Sequence, residues 1–379
     1  MRRQILLTLA CLLVGLSLLA IGLWPFNFRV DNHAELVPNA GGLKFAAPAE
    51  RSKQDLGGMA FTPNPLACRE KSRCEAGALT IEIELKAENE LSPCVKRIVE
   101  VRRNDGSEAF YLGQWKSYLI VRSFNTPPSK GKPYREIGAG GVLAAGRKIL
   151  VALVSGPHGT DIHIDGQPVK NYPDVRLLRE NETLEGHRVY LGNSPDLSCP
   201  WAGTVMGFTL FGRAWTSAEV TEHQAPGEGG PLPCRRGRVA AVANYRFDGF
   251  AGESIVDLSG TANDLRKPAR LVFDKRSLGL PNGQSFSGSD VTLNLLGFVP
   301  FGFMVCLRLL MRGKPSPRSC LFLAIAVGFA VSLAIELTQV WLPGRDSSLL
   351  DLTANTVGSA IGGAMAFYWV RVYGTLLKK

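Results

Sequence analysis

Six side chains that carry a charge or an amide lie in or beside the most apolar stretches of this sequence: Asn294, Glu336, Gln339, Arg345, Asp351 and Asn355. A carboxylate in apolar surroundings is costly unless it is paired, protonated or hydrated, so its presence points to a function or to a specific structural bond. Carboxyl groups can transfer protons, and an arginine can hold a phosphate through paired N–H groups. The set therefore suggests either a binding site for an anionic headgroup or an acid–base site.

The spacing of these residues predicts that they share helical faces. Glu336 and Gln339 are three positions apart, which places them on one side of a helix. Asp351 and Asn355 are four positions apart and do the same on the next helix. Two interpretations stay open: the residues converge on a ligand, or Glu336 pairs with Arg345 while the amides join helices by hydrogen bonds. Because no histidine, metal-ligand set or nucleophile accompanies them, the pattern favours binding over catalysis.

Four apolar segments are long enough to carry these residues through a membrane: Ile5–Leu23, Val291–Leu310, Cys320–Leu342 and Leu352–Val370. The first segment contains no charge, and at a rise of about 1.5 Å per residue it forms a helix of about 28 Å, close to the thickness of the hydrocarbon core. In the fourth segment, Gly358 and Gly362 belong to a stripe of small residues that lets another helix approach closely.

The distribution of charge predicts the orientation of the segments. The formal net charge is +10, and its basic excess flanks the apolar segments, which argues against a nucleic-acid partner. These flanking residues are Arg2, Arg3, Arg308, Arg312, Lys314, Arg318, Arg371, Lys378 and Lys379. They fall on one side of the membrane only if the chain crosses four times, which places both termini in the cytoplasm. A cleaved signal peptide, with Ala20-Ile21-Gly22 as its processing site, is the alternative for the first segment.

Residues 25–289, between the first two apolar segments, are predicted to form an extracytoplasmic all-β domain. Leu79–Leu85 alternates apolar and polar residues, which is typical of a half-buried strand. Several further strand-like runs follow, separated by Gly, Pro, Asn and Asp, and such spacing predicts a sandwich of two sheets.

Parts of this region resemble concanavalin A-like and laminin-G-like jelly rolls. Asp161–Val169 resembles the hairpin of that family, and Trp201–Val220 resembles its closing strand with the short helix after it. Tyr245–Gly249 and Val256–Gly260 also resemble pieces of such a domain, but pieces that usually occur near its start. This order leaves the strand order and the number of domains open.

The resemblance implies a ligand, because the family often carries sugars or calcium. Asp161 and Asp165 are the candidates for a calcium site, although Asp frequently only shapes turns. Trp115 and Trp201 are the candidates for stacking on a sugar ring, although a tryptophan in a sandwich more often belongs to the core. We expect no other cofactor and no metal.

Five cysteines lie in the β region: Cys68, Cys74, Cys94, Cys199 and Cys234. An oxidising compartment favours their pairing, and the odd number leaves at least one without a partner in this region. We expect Cys68 to pair with Cys74 in a short loop and Cys199 with Cys234 in a longer one.

The apolar C-terminal part resembles the VanZ-like family. The matching stretches are Asn294–Gly302, Glu336–Gln339, Pro343–Arg345, Asp351–Asn355 and Gly358, in that order, and the first segment with Trp24-Pro25-Phe26 resembles the opening span of the family. The resemblance implies a bacterial cell-envelope protein with a link to glycopeptide resistance. It also implies that Asn294, Glu336, Gln339, Arg345, Asp351 and Asn355 form a shared site.

The combined expectation is a multi-domain membrane protein of the bacterial inner membrane. Residues 1–24 form the first transmembrane helix, 25–289 an outer jelly roll, and 290–379 a VanZ-like region with three further helices. The expected partners are membrane lipids and a glycan, a protein or a lipid-linked cell-wall precursor. A membrane hydrolase or transferase, or a transporter that would need to form a homo-oligomer, is the alternative.

Overall fold

A long helix opens the chain, many short strands follow, and three long helices close it. The protein is described by a computed structural model, which covers residues 2–24, 26, 28–37, 41–46, 56–70, 73–90, 94–125, 131–224, 241–247, 252–271, 277–279, 288–313, 316–342 and 345–377. The contacts divide the chain into a helical unit, Met1–Phe28 with Phe273–Lys379, and a β unit, Arg29–Val272.

The helices are α1 Arg2–Leu23, α2 Ser217–Gln224, α3 Gly288–Leu310, α4 Pro317–Gln339 and α5 Leu349–Leu377. The strands are β1 Val30–Asp31, β2 Ala34–Val37, β3 Gly42–Phe45, β4 Ala60–Phe61, β5 Leu79–Ala87, β6 Lys96–Arg102, β7 Glu108–Trp115, β8 Tyr118–Ser123, β9 Arg135–Ala139, β10 Lys148–Gly156, β11 Gly159–Ile164, β12 Gln167–Tyr172, β13 Arg188–Leu191, β14 Gly203–Phe211, β15 Ala243–Arg246, β16 Ser254–Ile255, β17 Leu265–Arg266 and β18 Arg270–Leu271.

The β unit is a sandwich of two antiparallel sheets, as predicted. The first sheet has the order β12-β11-β10-β5-β14-β3-β2 with β15 beside β14, and the second has the order β16-β17-β4-β13-β6-β7-β8-β9. The inward rows of both sheets are apolar and buried, for example Ile81 and Ile83 in β5 and Val99 and Leu112 in β6 and β7. They belong to one continuous core, which supplies most of the stability of such a domain.

Strand β5 is buried on both faces rather than on one. Its outward-facing Glu82 is only 1% exposed, because α2 covers this side of the first sheet. The His223 ring of α2 lies 2.8 Å from the Glu82 carboxylate, and the Gln224 amide donates to the same group at 2.9 Å. The alternation in the sequence predicted the strand, but it could not predict the helix above it.

The segments with the unexpected order complete the same sandwich. β15 pairs with β14, and β17 pairs with β4. The Asp257 carboxylate organises the connection, since it accepts hydrogen bonds from the Asn244 and Asn263 backbone N–H groups and from the Thr261 hydroxyl at 2.7–3.0 Å. The β unit is therefore one sandwich. The two stretches that resemble the start of a jelly roll lie at the end of this sandwich in the sequence.

The four long helices of the helical unit run alternately up and down. Thr8 contacts Arg308 and Gly15 contacts Phe301, so α1 and α3 are antiparallel. Glu336 bonds to Ser348 at the start of α5, and Ser332, one turn earlier in α4, bonds to Asn355, farther along α5. Helices α4 and α5 are therefore also antiparallel.

Small residues allow α3, α4 and α5 to pack with their backbones nearly in contact. A Cβ atom at Gly358 would meet the Leu295 carbonyl oxygen, and one at Gly362 would meet the Val299 carbonyl oxygen. Gly328 of α4 faces the Ser359 hydroxyl of α5 in the same way. The predicted small-residue stripe thus sets the distance between these helices.

Three of the described helices are both long and apolar enough to cross a membrane: Gln4–Leu23, Val291–Leu310 and Pro317–Gln339, with mean hydropathies of 2.6, 1.9 and 2.4. The fourth predicted segment forms a helix of sufficient length, α5, with 29 residues. It is not among the three because glycine, serine and asparagine, the residues that permit its close packing, also lower its hydropathy. The composition of the described helices therefore supports three spans instead of the expected four.

We predict that Gly358→Ala destabilises the helical unit by about 1–3 kcal/mol, because the new methyl group would overlap the Leu295 carbonyl and force α3 and α5 apart. Gly297→Ala is the matched control, since its Cβ would lie 3.8 Å from the nearest side-chain atom, Leu18 Cδ2. Thermal unfolding of both full-length variants in detergent measures the difference. Equal midpoints for the two variants would contradict the proposed role of Gly358.

Candidate functional site

Glu336 lies near the end of α4 and is 2% exposed. Its Oε2 accepts a hydrogen bond of 2.7 Å from the backbone N–H of Ser348, the residue that precedes α5. The first N–H groups of a helix have no partner within that helix, and a carboxylate is favoured near them by the helix dipole. The buried acid is thus stabilised by the start of the neighbouring helix.

Ser348 is a residue that the sequence analysis missed. Its hydroxyl accepts hydrogen bonds from the backbone N–H groups of Leu350 at 3.2 Å and Asp351 at 3.4 Å. These are the bonds of a helix N-cap, for which serine is a preferred residue. The signal was present in the sequence, because Ser348 with an acid three positions later is typical of a helix start.

Arg345 and Gln339 bind the end of α1. Arg345 Nε and Nη2 donate to the Trp24 and Ile21 carbonyl oxygens, each at 3.2 Å. Gln339 Nε2 donates to the Gly22 carbonyl oxygen at 2.8 Å. Arg345 and Gln339 thus bond to the backbone at the end of α1, whereas Glu336 bonds to the backbone before α5.

Asn355 connects α5 to α4 inside the helical unit. Its Nδ2 donates to the buried Ser332 hydroxyl at 2.9 Å, and its Oδ1 is buried without a hydrogen-bond partner in the described part of the chain. Asn294 on α3 is half-buried, and it directly precedes Leu295, whose carbonyl faces Gly358 one turn after Asn355. The structure thus places two amides at one level of the bundle.

Asp351 lies in the first turn of α5 and is half-buried. An acid at this position interacts favourably with the helix dipole.

Together the six residues lie where α1 and α4 end and α3 and α5 begin, so one end of the bundle holds all of them. Their described side-chain hydrogen bonds join helix ends and neighbouring helices. Among the described residues, no cluster of three or more His, Cys, Asp or Glu could hold a metal ion.

The predicted ligand residues of the β unit divide into two groups. Asp165 has a positive φ of 52° and accepts from the Leu150 N–H at 2.9 Å, so it shapes a turn. Asp161 accepts from the Asn171 amide at 2.6 Å on the neighbouring strand. Asp165 thus has the turn role that was the alternative to calcium binding, whereas Asp161 joins two neighbouring strands.

The two tryptophans have different environments. Trp201 is fully buried and donates from Nε1 to Gln114 Oε1 at 2.7 Å, so its ring belongs to the core. Trp115, at the turn between β7 and β8, is 41% exposed. Its ring centroid lies 6.0 Å from that of the exposed Tyr118.

Two disulfides are formed in the β unit. Cys68 is bonded to Cys74, as expected. Cys199 is bonded to Cys94, with a Cα–Cα distance of 6.2 Å, so the expected bond of Cys199 with Cys234 is wrong. Cys234 itself lies outside the described residues. A pairing across 105 positions depends on the sandwich fold, which cysteine spacing alone does not define.

The sequence analysis also missed a charged cluster on the outer face of the second sheet. Glu100 of β6 is buried between Arg97 and Arg102, and Arg97 lies 3.4 Å above the ring centroid of Tyr111. Burial raises the pKa of Glu100 above its usual value, although both arginines act against this rise. Burial likewise raises the pKa of Tyr111 to about 12. The alternation of charged and apolar residues in Lys96–Arg102 was the available signal for this face.

Comparison with known proteins finds a family model that matches the helical end of the chain. The family model described as VanZ/LLP1 matches residues 247–371, which confirms the predicted resemblance for that region. The match begins inside the β unit, just after β15, and extends into α5. Comparison with curated proteins gives no match.

Solved structures similar to this chain contain jelly-roll-like β domains. A SAP-like pentraxin from Limulus polyphemus aligns with a TM-score of 0.39 and 14% identity over 61% of this chain and 94% of the pentraxin. CBM40 of the Ruminococcus gnavus IT-sialidase, bound to α2,3-sialyllactose, aligns with a TM-score of 0.35 and 12% identity over 49% of this chain and 97% of that one. Trypanosoma rangeli sialidase aligns with a TM-score of 0.37 and 17% identity over 52% and 29%.

We predict that Glu336→Ala destabilises the helical unit by about 1–3 kcal/mol, because it leaves the partly buried Ser348 N–H without an acceptor. Glu336→Gln retains an acceptor oxygen and should lose less than half of that amount. The measurement is unfolding of the full-length protein in detergent. Thr338→Ala is the control, because Thr338 is half-buried and its hydroxyl donates to the Ala334 carbonyl of the same helix. Equal losses for the Ala and Gln variants would show that the Ser348 bond does not carry the effect.

Proposed function

We propose that this chain is an integral envelope protein of the bacterial inner membrane. In this proposal four helices cross the membrane, the polar end of the bundle binds the headgroup of a lipid or lipid-linked precursor, and the β-sandwich binds a glycan outside the cytoplasm. The observation that carries the proposal is the alternating arrangement of α1, α3, α4 and α5. A role in the response to glycopeptide antibiotics rests on the family resemblance alone.

The packing of α5 supports a fourth span despite its lower hydropathy. This helix contacts α4 at Ser348 and Asn355 near one end, at Ser359 in the middle and at Gly363 farther along. A membrane that surrounds α4 over its length must therefore also surround α5. At about 1.5 Å per residue a helix of this length exceeds the hydrocarbon thickness.

The charges at the two ends of the bundle support the orientation. The alternating helices bring the start of α1, the end of α3, the start of α4 and the end of α5 to one end. Among the described flanking residues, Arg308, Arg312, Arg318 and Arg371 lie at that end. The opposite end carries Glu336, Arg345 and Asp351. Because lysine and arginine favour the cytoplasmic side, the basic end is assigned to the cytoplasm.

Two amides support a headgroup site at the polar end. Asn355 Oδ1 is a buried acceptor without a described partner, and such an atom normally has a hydrogen-bond donor. Asn294 lies at the same level on α3 and has no hydrogen bond to another described residue. A headgroup hydroxyl could donate to Asn355, and the partly exposed Arg345 would attract a phosphate.

The exposed aromatic pair supports the glycan-binding role of the sandwich. Trp115 and Tyr118 present their rings at the turn between β7 and β8, with 41% and 46% of their surfaces exposed. Aromatic rings with one accessible face and a polar edge are suited to ligands that are apolar on one side and hydroxylated at the rim.

We predict that a membrane-impermeant maleimide labels Asp346→Cys from outside intact cells. Arg318→Cys, at the exposed start of α4, should react only after permeabilisation. Arg371→Cys, in the last turns of α5, should behave like Arg318→Cys if α5 spans the membrane. Labelling of Arg371→Cys in intact cells would reduce the number of spans to three.

We predict that Asn294→Ala lowers headgroup binding about five- to tenfold, the loss expected for one hydrogen bond to a charged or strongly polar group. The probes are photoactivatable phosphatidylglycerol and polyprenyl phosphate, crosslinked to the full-length protein in phosphatidylcholine nanodiscs. Thr353→Ala is the control, because its side chain lies on the exposed side of α5. Crosslinking that is unchanged by Asn294→Ala would remove the headgroup site.

A further inference from the structure

Four arginines lie on the outer face of the second sheet. Arg97 and Arg102 belong to β6, Arg122 belongs to β8, and Arg188 belongs to β13. We call this set the arginine face. The inward neighbours of these residues in the same strands are core residues, so their side chains leave the sheet on the outer side.

Glutamates hold three of these guanidinium groups by their Nε atoms. Arg97 Nε lies 3.1 Å and Arg102 Nε 2.5 Å from the two oxygens of Glu100, and Arg122 Nε lies 2.5 Å from Glu136. With Nε occupied, the outer nitrogens of each group point away from its glutamate. Within the described residues, Arg97 Nη1, Arg102 Nη2 and both Nη atoms of Arg122 have no hydrogen-bond partner.

Arg188 and Arg102 stand directly opposite each other on neighbouring strands. Like charges at opposed positions destabilise a sheet. Arg188 is half-buried, and its side chain has no ion pair or hydrogen bond to another described residue. An anion between the two guanidinium groups would turn this repulsion into two charge-assisted hydrogen bonds.

Tyr111 lies within the same face. Its hydroxyl is buried and has no hydrogen-bond partner among the described residues, and Arg97 stacks on its ring. A buried hydroxyl without a partner is rare in folded proteins, and this one can donate to an anionic group on the arginine face.

The arginine face is extended. Strands β13, β6, β7 and β8 follow one another in the sheet, so Arg188 and Arg122 are separated by three strand spacings, or about 14 Å. Beyond Arg188, Tyr190 stacks on Phe61 with ring centroids 5.8 Å apart. A ligand that contacts the whole row therefore needs several anionic groups and an apolar ring face.

We infer that the arginine face binds the carboxylate or sulfate groups of an acidic polysaccharide. This inference rests on the proposed glycan-binding function of the sandwich and adds the class of glycan and its location. The three glutamates Glu100, Glu108 and Glu136 offset most of the charge of the four arginines. The face thus suits a polymer with spaced charges better than a nucleic acid, whose dense phosphates require a strongly basic surface.

The test measures binding of the full-length protein in nanodiscs to oligogalacturonate and to its methyl ester, which has the same sugar rings without the charges. Wild type should bind the acid at least tenfold more tightly than the ester. Arg188→Gln and Arg102→Gln should each weaken binding of the acid about tenfold, as expected for one charge-assisted hydrogen bond. Tyr111→Phe, which removes only the hydroxyl, should weaken it less.

Two controls separate binding from folding. Arg147→Gln removes an arginine that pairs with Asp165 on the first sheet, and it should leave binding unchanged. Arg188→Gln should keep or raise the thermal midpoint of the ligand-free protein, because it removes a repulsion.

The outcomes distinguish the inference from the function on which it rests. Equal binding of acid and ester, or equal affinity of Arg188→Gln and Arg147→Gln, would overturn the arginine face and leave a neutral-glycan function intact. Failure of wild type to bind either polymer would remove both the inference about the arginine face and the proposed glycan-binding function. Preference for single-stranded DNA over oligogalacturonate would also overturn the inference.

Discussion

The helical unit depends on the need to satisfy backbone groups where helices end in apolar surroundings. Each helix leaves its first N–H groups and last carbonyl groups without partners, and a membrane offers no water to replace them. In this protein, side chains from neighbouring helices and loops supply the partners. Glu336 accepts from the start of α5, while Gln339 and Arg345 donate to the end of α1. The polar residues are thus fixed in place by the helix ends that they complete.

This arrangement explains how a charged cluster can persist beside apolar sequence. An isolated carboxylate there would be unfavourable, but Glu336 obtains a backbone hydrogen bond at the favourable end of a helix dipole. The small residues of α5 make the arrangement possible, because only close packing of α4 and α5 brings Ser348 within reach of Glu336. Packing and polarity therefore depend on each other.

The sequence predicted the kinds of elements more accurately than the contacts among them. Apolar length and alternation identified the helices and the sandwich, because these patterns follow directly from burial. The partners of Arg345 could not be predicted, since the pattern of side chains does not show that backbone carbonyls at the end of α1 would be its acceptors. The partner of Cys199 and the burial of Glu82 depend on strands and a helix far away in the sequence. The arginine face was missed for the same reason, because β6, β8 and β13 are brought together only by the sheet.

The short pairing of β1 with β18 brings the two ends of the β unit together. Val30 is opposite Leu271 and Asp31 is opposite Arg270, so the polypeptide enters and leaves the sandwich at adjoining positions. A module with neighbouring ends can be gained, lost or exchanged as a cassette while requiring little adjustment from its host. The same set of helices is therefore compatible with quite different inserted modules, or with none.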